Sequence, residues 1–428
     1  MKILFINLKD IEGGGAIAAY RLSKGLERYF QTENYFIVRH KRSADANIFP
    51  TIAKQGETLN ESMGFIEFLL DRVLGRLGFQ YYYFPFSTRS ILKKARELRP
   101  DIISLHIIHG GYFKTSLLKK LSRIAPIVWT MHDMWGFTAN AAHTFGDESW
   151  KQGGSGKEEK HIYPHIGIDR GKALLKRKER IYIHSNLNVV APSRWLYNLA
   201  KQSPVLAKKP VHHIAHGLDL EMFKPLDKIT GRKALGIPEN ANVIMFSSAD
   251  DLEKSPWKGG QLLVDILKTL DARTSFPIEI LVLGKGQLNI FQDMTHLRVH
   301  RIRSIDNERL MTVLLSSADI YIYPTRADNM PLVLMEATAC GTPCITFDVG
   351  GCGDIIQEGV SGSLVPPFAV DVFVEKTLEM LANKEKRIAL SRTSREFAEN
   401  HFDMKEMAKA YYTLFQLLID LGKGNPHR

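Results

Sequence analysis

Short, unbroken runs of β-branched and aliphatic residues recur along this chain, and stretches with helical spacing of their apolar positions lie between them. In the first half the runs are KILFIN, YFIVRH, IISLHII, IVWTMH, LNVVAPS and VHHIAH. In the second they are VIMFSSA, IEILVLG, RVHRI, IYIYPT, CITFDV and SLVPP. The helical stretches are AIAAYRLSKGLERYF, RSILKKAREL, TSLLKKLSRI and SRWLYNLAKQS, then GGQLLVDILKTLDA, NERLMTVLLSSA, MPLVLMEATAC and VDVFVEKTLEMLAN. A strand apolar at every position is buried on both faces, which points to a parallel sheet covered by crossover helices. The pattern predicts an α/β chain. It occurs twice, and 428 residues suffice for two hydrophobic cores. The junction is expected near HGLDLEMFKPLDK.

Composition narrows the partners and the compartment. A hydrophobic share of 44% with 24% charged residues excludes a largely disordered chain. The net charge of +11 favours polyanions, whether nucleic acid, phosphorylated small molecules or anionic membrane. The cysteines are Cys340, Cys344 and Cys352, an odd number with no C-x-x-C pair. That argues against a disulfide scaffold or cysteine zinc module and for a reducing compartment. No run of about 18 apolar residues occurs. The opening MKILFINLKD is too short for a signal-peptide core and reads as a first buried strand. A cytoplasmic protein is expected, with contact at the inner face of the cytoplasmic membrane left open.

Two stretches stand apart. Residues 148–164 (ESWKQGGSGKEEKHIYP) are Gly-rich and charged, and read as a mobile excursion from the first domain. Residues 64–87 join FIEFLLDRVLGRLGF to QYYYFPFS. Their aromatic density and interspersed arginines fit a membrane-interface element, or a helix packed on its own domain with some exposed aromatics.

Four motifs carry possible chemistry. A strand runs into Gly13, Gly14 and Gly15, with a helix expected from about Ala16. Glycines admit close backbone approach, and a helix N-terminus offers N–H groups to an anion. In PTRADNMPLVLMEATACGTPCITF, a strand ends at Thr325, RADN forms a loop and Pro331 suits the first helical turn. Asp328 and Glu336 flank that helix start, where two carboxylates can accept hydrogen bonds from vicinal sugar hydroxyls and the helix N-terminus can hold a diphosphate. Lys258-Gly259-Gly260 precedes another helix and offers a phosphate anchor. His132 follows a strand end; His106, His109 and His143 cannot be separated from background by spacing. No H-E-x-x-H, G-x-S-x-G or G-x-x-x-x-G-K-[ST] pattern appears. Basic runs such as KALLKRKER read as solvated helix faces.

Taken together these residues resemble a known family. Arg326 to Val365 is similar to the C-terminal signature of retaining GT-B glycosyltransferases of the glycosyltransferase 4 group. The matching segments are D-N-M-P-L-V-L-M-E, A-T-A-C-G-T-P, G-G-C-G-D and E-G-V-S-G-S-L-V. The GGG loop, VWTMHDMWGFT, VVAPSRWL and HGLDLEMFKP also fit. HDMWGFT resembles colanic-acid, exopolysaccharide and O-antigen transferases.

The resemblance implies a GT-B fold: two doubly wound, Rossmann-like parallel-sheet domains facing a cleft. An acceptor-side domain would span 1–217, a nucleotide-sugar domain 218–405, and a helix at 406–428 would return to the first. It implies transfer of a sugar from a UDP- or GDP-sugar or similar donor to a glycan or polyprenyl-diphosphate-linked hydroxyl. Configuration would be retained, with no metal or other cofactor and no nucleic-acid partner. Attack would come from the leaving-group side, with the departing phosphate as base. By position, His132, Asp328 and Lys258 would be catalytic. Gly14, Gly15, Lys258, Asp328, Asn329, Met330, Pro331, Leu332 and Glu336 would bind the donor, Glu336 through the ribose hydroxyls.

Three departures stand out. Asp328 sits where the family more often has Glu. DDLEKSPW lacks the Arg that usually precedes the phosphate lysine, leaving Lys254 as the nearby cation. No Cys-rich stretch follows HDMWGFT. The alternatives are a non-catalytic sugar-nucleotide or glycan-binding relative and a nucleotide-sugar 2-epimerase.

Overall fold

The computed structural model describes residues 1–52, 57–248, 257–284, 291–305 and 307–423. They form two compact units, Met1–Gly217 with Lys405–Arg428, and Leu218–Met404.

The first unit holds strands β1 (Lys2–Lys9), β2 (Glu33–His40), β3 (Ile48–Pro50), β4 (Ile102–Leu105), β5 (Ile127–Thr130), β6 (Leu187–Ala191) and β7 (Val211–His213). They pair in parallel in the order β3-β2-β1-β4-β5-β6-β7. Ile3, Leu4, Phe5 and Ile6 are fully buried, as are Ile102, Ile103 and Leu105. Each such side chain contributes roughly 1.5–3 kcal/mol of burial, which is why the strands read as unbroken apolar runs. Strand β3 has no such run and falls in a stretch without a sequence signal. It is a three-residue edge, where Pro50 has no outer neighbour to bond.

The chain adds β2 and β3 on one side of β1 and then returns to place β4 on the other. The loops leaving β1 and β4 diverge there, at the position where doubly wound sheets bind ligands. The first helix, Gly14–Phe30, opens two residues earlier than expected. It packs Ala18, Ala19, Leu22 and Leu26 inward and stops at Gln31, whose φ of 52° is left-handed. In the helix Met404–Lys423, the Tyr411 hydroxyl meets Thr130 Oγ1 at 2.8 Å and Tyr412 stacks on Phe30 with centroids 4.5 Å apart.

Two expectations need correction. Residues 148–164 are packed, not a mobile excursion. Trp150 and Glu159 are almost fully buried, and Glu159 Oε1 accepts from the N–H groups of Ala139 and Asn140 at 2.9 and 3.1 Å. A carboxylate that satisfies several buried amides ties the segment down despite its polar composition. KALLKRKER is not wholly a solvated face. Lys178 is buried; its ammonium lies 4.0 Å from the Trp135 ring centre and bonds the carbonyls of Trp135 and Thr138.

The second unit repeats the architecture with β8 (Asn242–Ser248), β9 (Ile278–Gly284), β10 (Leu297–Ile302), β11 (Ile320–Tyr323), β12 (Cys344–Phe347) and β13 (Gly362–Val365). All pair in parallel, ordered β10-β9-β8-β11-β12-β13. Here the direction reverses between β8 and β11. Pro331 stands just before the helix Leu332–Ala339, not in its first turn. Its carbonyl accepts from Leu334 and Met335, so it caps the helix through its backbone.

Candidate functional site

In the second unit the loops after β8 and β11 meet at the sheet's reversal point. The carbonyl of Trp257 accepts from Arg326 N, Ala327 N and Thr325 Oγ1 at 2.9, 3.3 and 3.1 Å. Gly259 follows with φ +68°, and a Cβ there would lie 1.8 Å from the Pro324 carbonyl oxygen. Only glycine lets the two backbones come this close. The loop after β12 closes from the other side: a Cβ on Gly350 (φ +57°) would lie 1.9 Å from the Asp328 carbonyl oxygen, to which Gly351 N donates at 3.0 Å.

This clasp brings three side chains together. Lys258 Nζ donates to Asp328 Oδ2 at 2.6 Å and to the Tyr323 hydroxyl oxygen at 3.1 Å, and that hydroxyl donates to Asp328 Oδ2 at 2.6 Å. Burial opposes the Lys258 ammonium, but Asp328 and Tyr323 outweigh it and hold the amine charged, well above the ordinary lysine range. Burial would raise the Asp328 carboxyl; Lys258, Tyr323 and the Asn329 N–H hold it below the ordinary value instead. Lys258 keeps 57% of its side chain exposed, so the pair adds little stability and chiefly fixes a cation in place. An ammonium has three N–H donors. Among the described residues two are engaged, which leaves one for an anion.

Asn329, Met330 and Pro331 are buried beside this cluster, Leu332 is half-buried, and the Asn329 N–H donates to Asp328 Oδ1 at 2.9 Å. The first amides of a helix lack partners within it and favour anions. Glu336, in the second turn, is only 6% exposed. Its charge helps push the Tyr321 phenol and the Cys340 thiol upward, after burial itself. The Tyr321 hydroxyl meets Ser247 Oγ at 2.6 Å, at the end of β8. Lys254 lies outside the described residues.

In the first unit the turn after β1 and the strand ends of β4 and β5 come together. Gly13 has φ +92° and its carbonyl accepts from Ala16 and Ile17. A Cβ on Gly15 would lie 2.6 Å from Ile107 Cδ1 and 3.2 Å from His132 Cγ, whereas one on Gly14 would meet nothing within 4 Å. His132 lies between His106 and His216, with ring centres 5.3 and 5.4 Å away. His132 Nε2 shares a 3.0 Å hydrogen bond with His106 Nδ1, and His106 Nε2 shares one of 3.2 Å with Ser104 Oγ. Burial pushes His132 down to about 4, Asp133 opposing it, and pushes His106 and His216 well below the ordinary range. Near pH 7 all three rings are therefore neutral. Asp133 accepts from Trp135 N and pairs with His109 Nε2 at 2.7 Å.

Lys258, Asp328, Asn329, Met330, Pro331, Leu332 and Glu336 thus gather at one sheet edge of the second unit. Gly14, Gly15 and His132 gather at one of the first. Tyr323, Tyr321, Ser247 and His216 escaped the sequence reading, and His106 is named there only as inseparable from background. For His216 a signal existed, since it opens the HGLDLEMFKP segment. The others take their place from strand order alone.

A family model described as Glycosyltransferase Family 4 matches residues 13–222, and one described as Glycosyl transferases group 1 matches 227–397. The chain is 24% identical to the putative colanic acid biosynthesis glycosyl transferase WcaC of Escherichia coli, over 98% of this chain and 100% of that protein. It is 24% identical to a D-inositol 3-phosphate glycosyltransferase of Saccharomonospora viridis over 63% of each chain, so the match spans less than two thirds of that relative's length. Its fold resembles that of Anabaena HepE, solved in complex with UDP and glucose. The TM-score is 0.67 at 16% identity, over 97% of this chain and 99% of that one.

Proposed function

Since the chain belongs to the two-domain GT-B glycosyltransferases, with a family 4 domain followed by a group 1 domain, we propose that it moves a sugar from a nucleotide-diphosphate donor to a hydroxyl of a glycan or lipid-linked acceptor in surface-polysaccharide assembly. Transfer retains configuration and needs no metal. The Lys258–Asp328–Tyr323 cluster at the reversal point of the second sheet carries this reading.

The leaving group is a diphosphate, and transfer requires its developing charge to be met. Lys258 supplies a fixed cation, and the opening of the Leu332–Ala339 helix supplies amides beside it. Glu336 accepts from the ribose hydroxyls, and Asp328 and Asn329 orient the donor sugar. From the first unit, His132 serves the same reaction as a neutral hydrogen-bonding group, with Gly14 and Gly15 admitting the substrate to the backbone. The departing phosphate takes the acceptor proton.

A thermal-shift screen against UDP, GDP, ADP and dTDP and their sugar conjugates tests the reading. A ligand bound only by the native state raises the melting temperature. One base should give a clear shift that Glu336→Ala abolishes, and that conjugate should then support transfer to an acceptor. Binding without transfer across a broad acceptor panel favours a non-catalytic relative. Release of nucleotide and an epimerised sugar without acceptor favours an epimerase. Absence of any shift in folded protein overturns the proposal.

A further inference from the structure

The helix Glu57–Arg76 is inverted relative to an ordinary surface helix. Its described acids, Glu67 and Asp71, point inward. Glu67 is fully buried and accepts from Ser87 N at 2.8 Å and Ser87 Oγ at 2.6 Å, with Arg39 Nη1 at 3.4 Å. Asp71 is held against Gly111, and burial pushes its carboxyl up to about 6. The exposed positions from 65 to 77 are Phe65, Ile66, Phe68, Leu69, Val73 and Leu77, with only Arg72 and Arg76 among them. Phe65 is 59% exposed, Val73 53% and Phe68 50%. The Arg72 guanidinium lies 5.5 Å from the Phe68 ring centre.

A soluble helix ordinarily turns its apolar stripe to the core and its charges to water. Here the polar inward contacts fix the helix in the opposite sense, so the apolar stripe is set outward by construction. Such a patch marks an interaction surface. At the helix end, Ile168 N donates to the Arg76 carbonyl at 3.1 Å and sets the 49%-exposed Ile168 beside the stripe.

The geometry points to this face as the docking surface for an anionic lipid bilayer, into whose interface the helix lies flat. Charge complementarity selects the occupant. Every charge exposed along 65–77 is a guanidinium, and the acids are withdrawn. A two-fold contact with a second copy would press arginine-bearing patches of one sign together. An anionic headgroup layer instead accepts the arginines while the aromatic and aliphatic side chains enter the acyl boundary. Among the described residues no helix is long and apolar enough to cross a membrane, so this is contact and not insertion. The inference deepens the lipid-linked acceptor of the proposed function and rests on that reading only for its purpose.

Co-sedimentation of the full chain with vesicles tests it, comparing phosphatidylcholine alone with phosphatidylcholine containing phosphatidylglycerol. No nucleotide is present, so the outcome is independent of donor binding, which thermal shift reads separately. The wild type should sediment with the anionic vesicles and far less with the neutral ones. F65S/F68S/V73S should lose roughly tenfold or more in partitioning. R72E/R76E should lose about fivefold per arginine on anionic vesicles. All these positions are exposed, and an unchanged melting temperature confirms the fold. Failure of the wild type to sediment overturns the proposal. So does equal sedimentation of the variants, or a wild-type dimer that the phenylalanine variant dissolves.

Discussion

Lys258 Nζ lies 2.6 Å from Asp328 Oδ2, across 70 positions of sequence. The two residues sit in loops that follow β8 and β11, which are neighbours in the sheet although β9 and β10 separate them in the chain. The contact thus depends on the point where the strand order reverses, and Gly259 and Gly350 permit the backbone approaches that tighten it.

Lys258→Ala should leave the fold intact, since the lysine is more than half exposed and Tyr323 and the Asn329 N–H still hold the Asp328 carboxylate. It should lower kcat/KM by about 100-fold or more, because an aligned charge on the leaving group is lost. Tyr323→Phe removes the hydroxyl's two hydrogen bonds, from Lys258 and to Asp328, and keeps the ion pair, so a loss nearer tenfold is expected. Steady-state kinetics on the donor found by thermal shift will separate the two; equal losses would mean that the hydroxyl, not the cation, is limiting.

The glycines should divide sharply. Gly259→Ala and Gly350→Ala place a methyl within 2 Å of a carbonyl oxygen at positive φ, and each should cost more than about 2 kcal/mol with loss of nucleotide binding. Gly14→Ala meets open space at a helix start and should be neutral or stabilising by up to about 1 kcal/mol. Urea denaturation midpoints measure all three.

The stacked histidines should make the protein acid-sensitive. Their folded pKa values are depressed, so the unfolded chain binds more protons as pH falls from 6.5 through about 4, and stability drops across that window. The slope of unfolding free energy against pH should approach that of three protons and diminish in His106→Phe. Because His132 is already neutral near pH 7, turnover should show no imidazole titration between pH 6 and 8.

Asp71 carries the opposite sign. Burial raises its carboxyl from 3.8 to about 6, so the folded chain holds the proton more tightly, and stability falls as pH rises through that window. Asp71→Asn should stabilise the protein above the window by up to about 3 kcal/mol and leave it unchanged below. A gain that is equal at both ends would implicate packing instead.

The amino-acid sequence by itself determined the α/β class, the second-unit loop residues from Asp328 to Glu336 and the glycine turn after β1. These are local properties: an unbroken apolar run must be buried on both faces, and a turn or helix start is written within a few residues of itself. What only the tertiary structure decided is which loops meet. Tyr323 joins Lys258 and Asp328, and His106 and His216 enclose His132, because strands distant in the chain lie side by side. Residues 148–164 are polar in composition but become ordered because Glu159 finds buried amides that no local pattern displays. The helix Glu57–Arg76 could be read either way from its periodicity. Arg39 and Ser87, 28 and 20 positions from Glu67, hold that carboxylate inward and leave the phenylalanines outward. Burial and pairing are properties of the assembled sheet, and a helix takes its inner face from what the sheet presents to it.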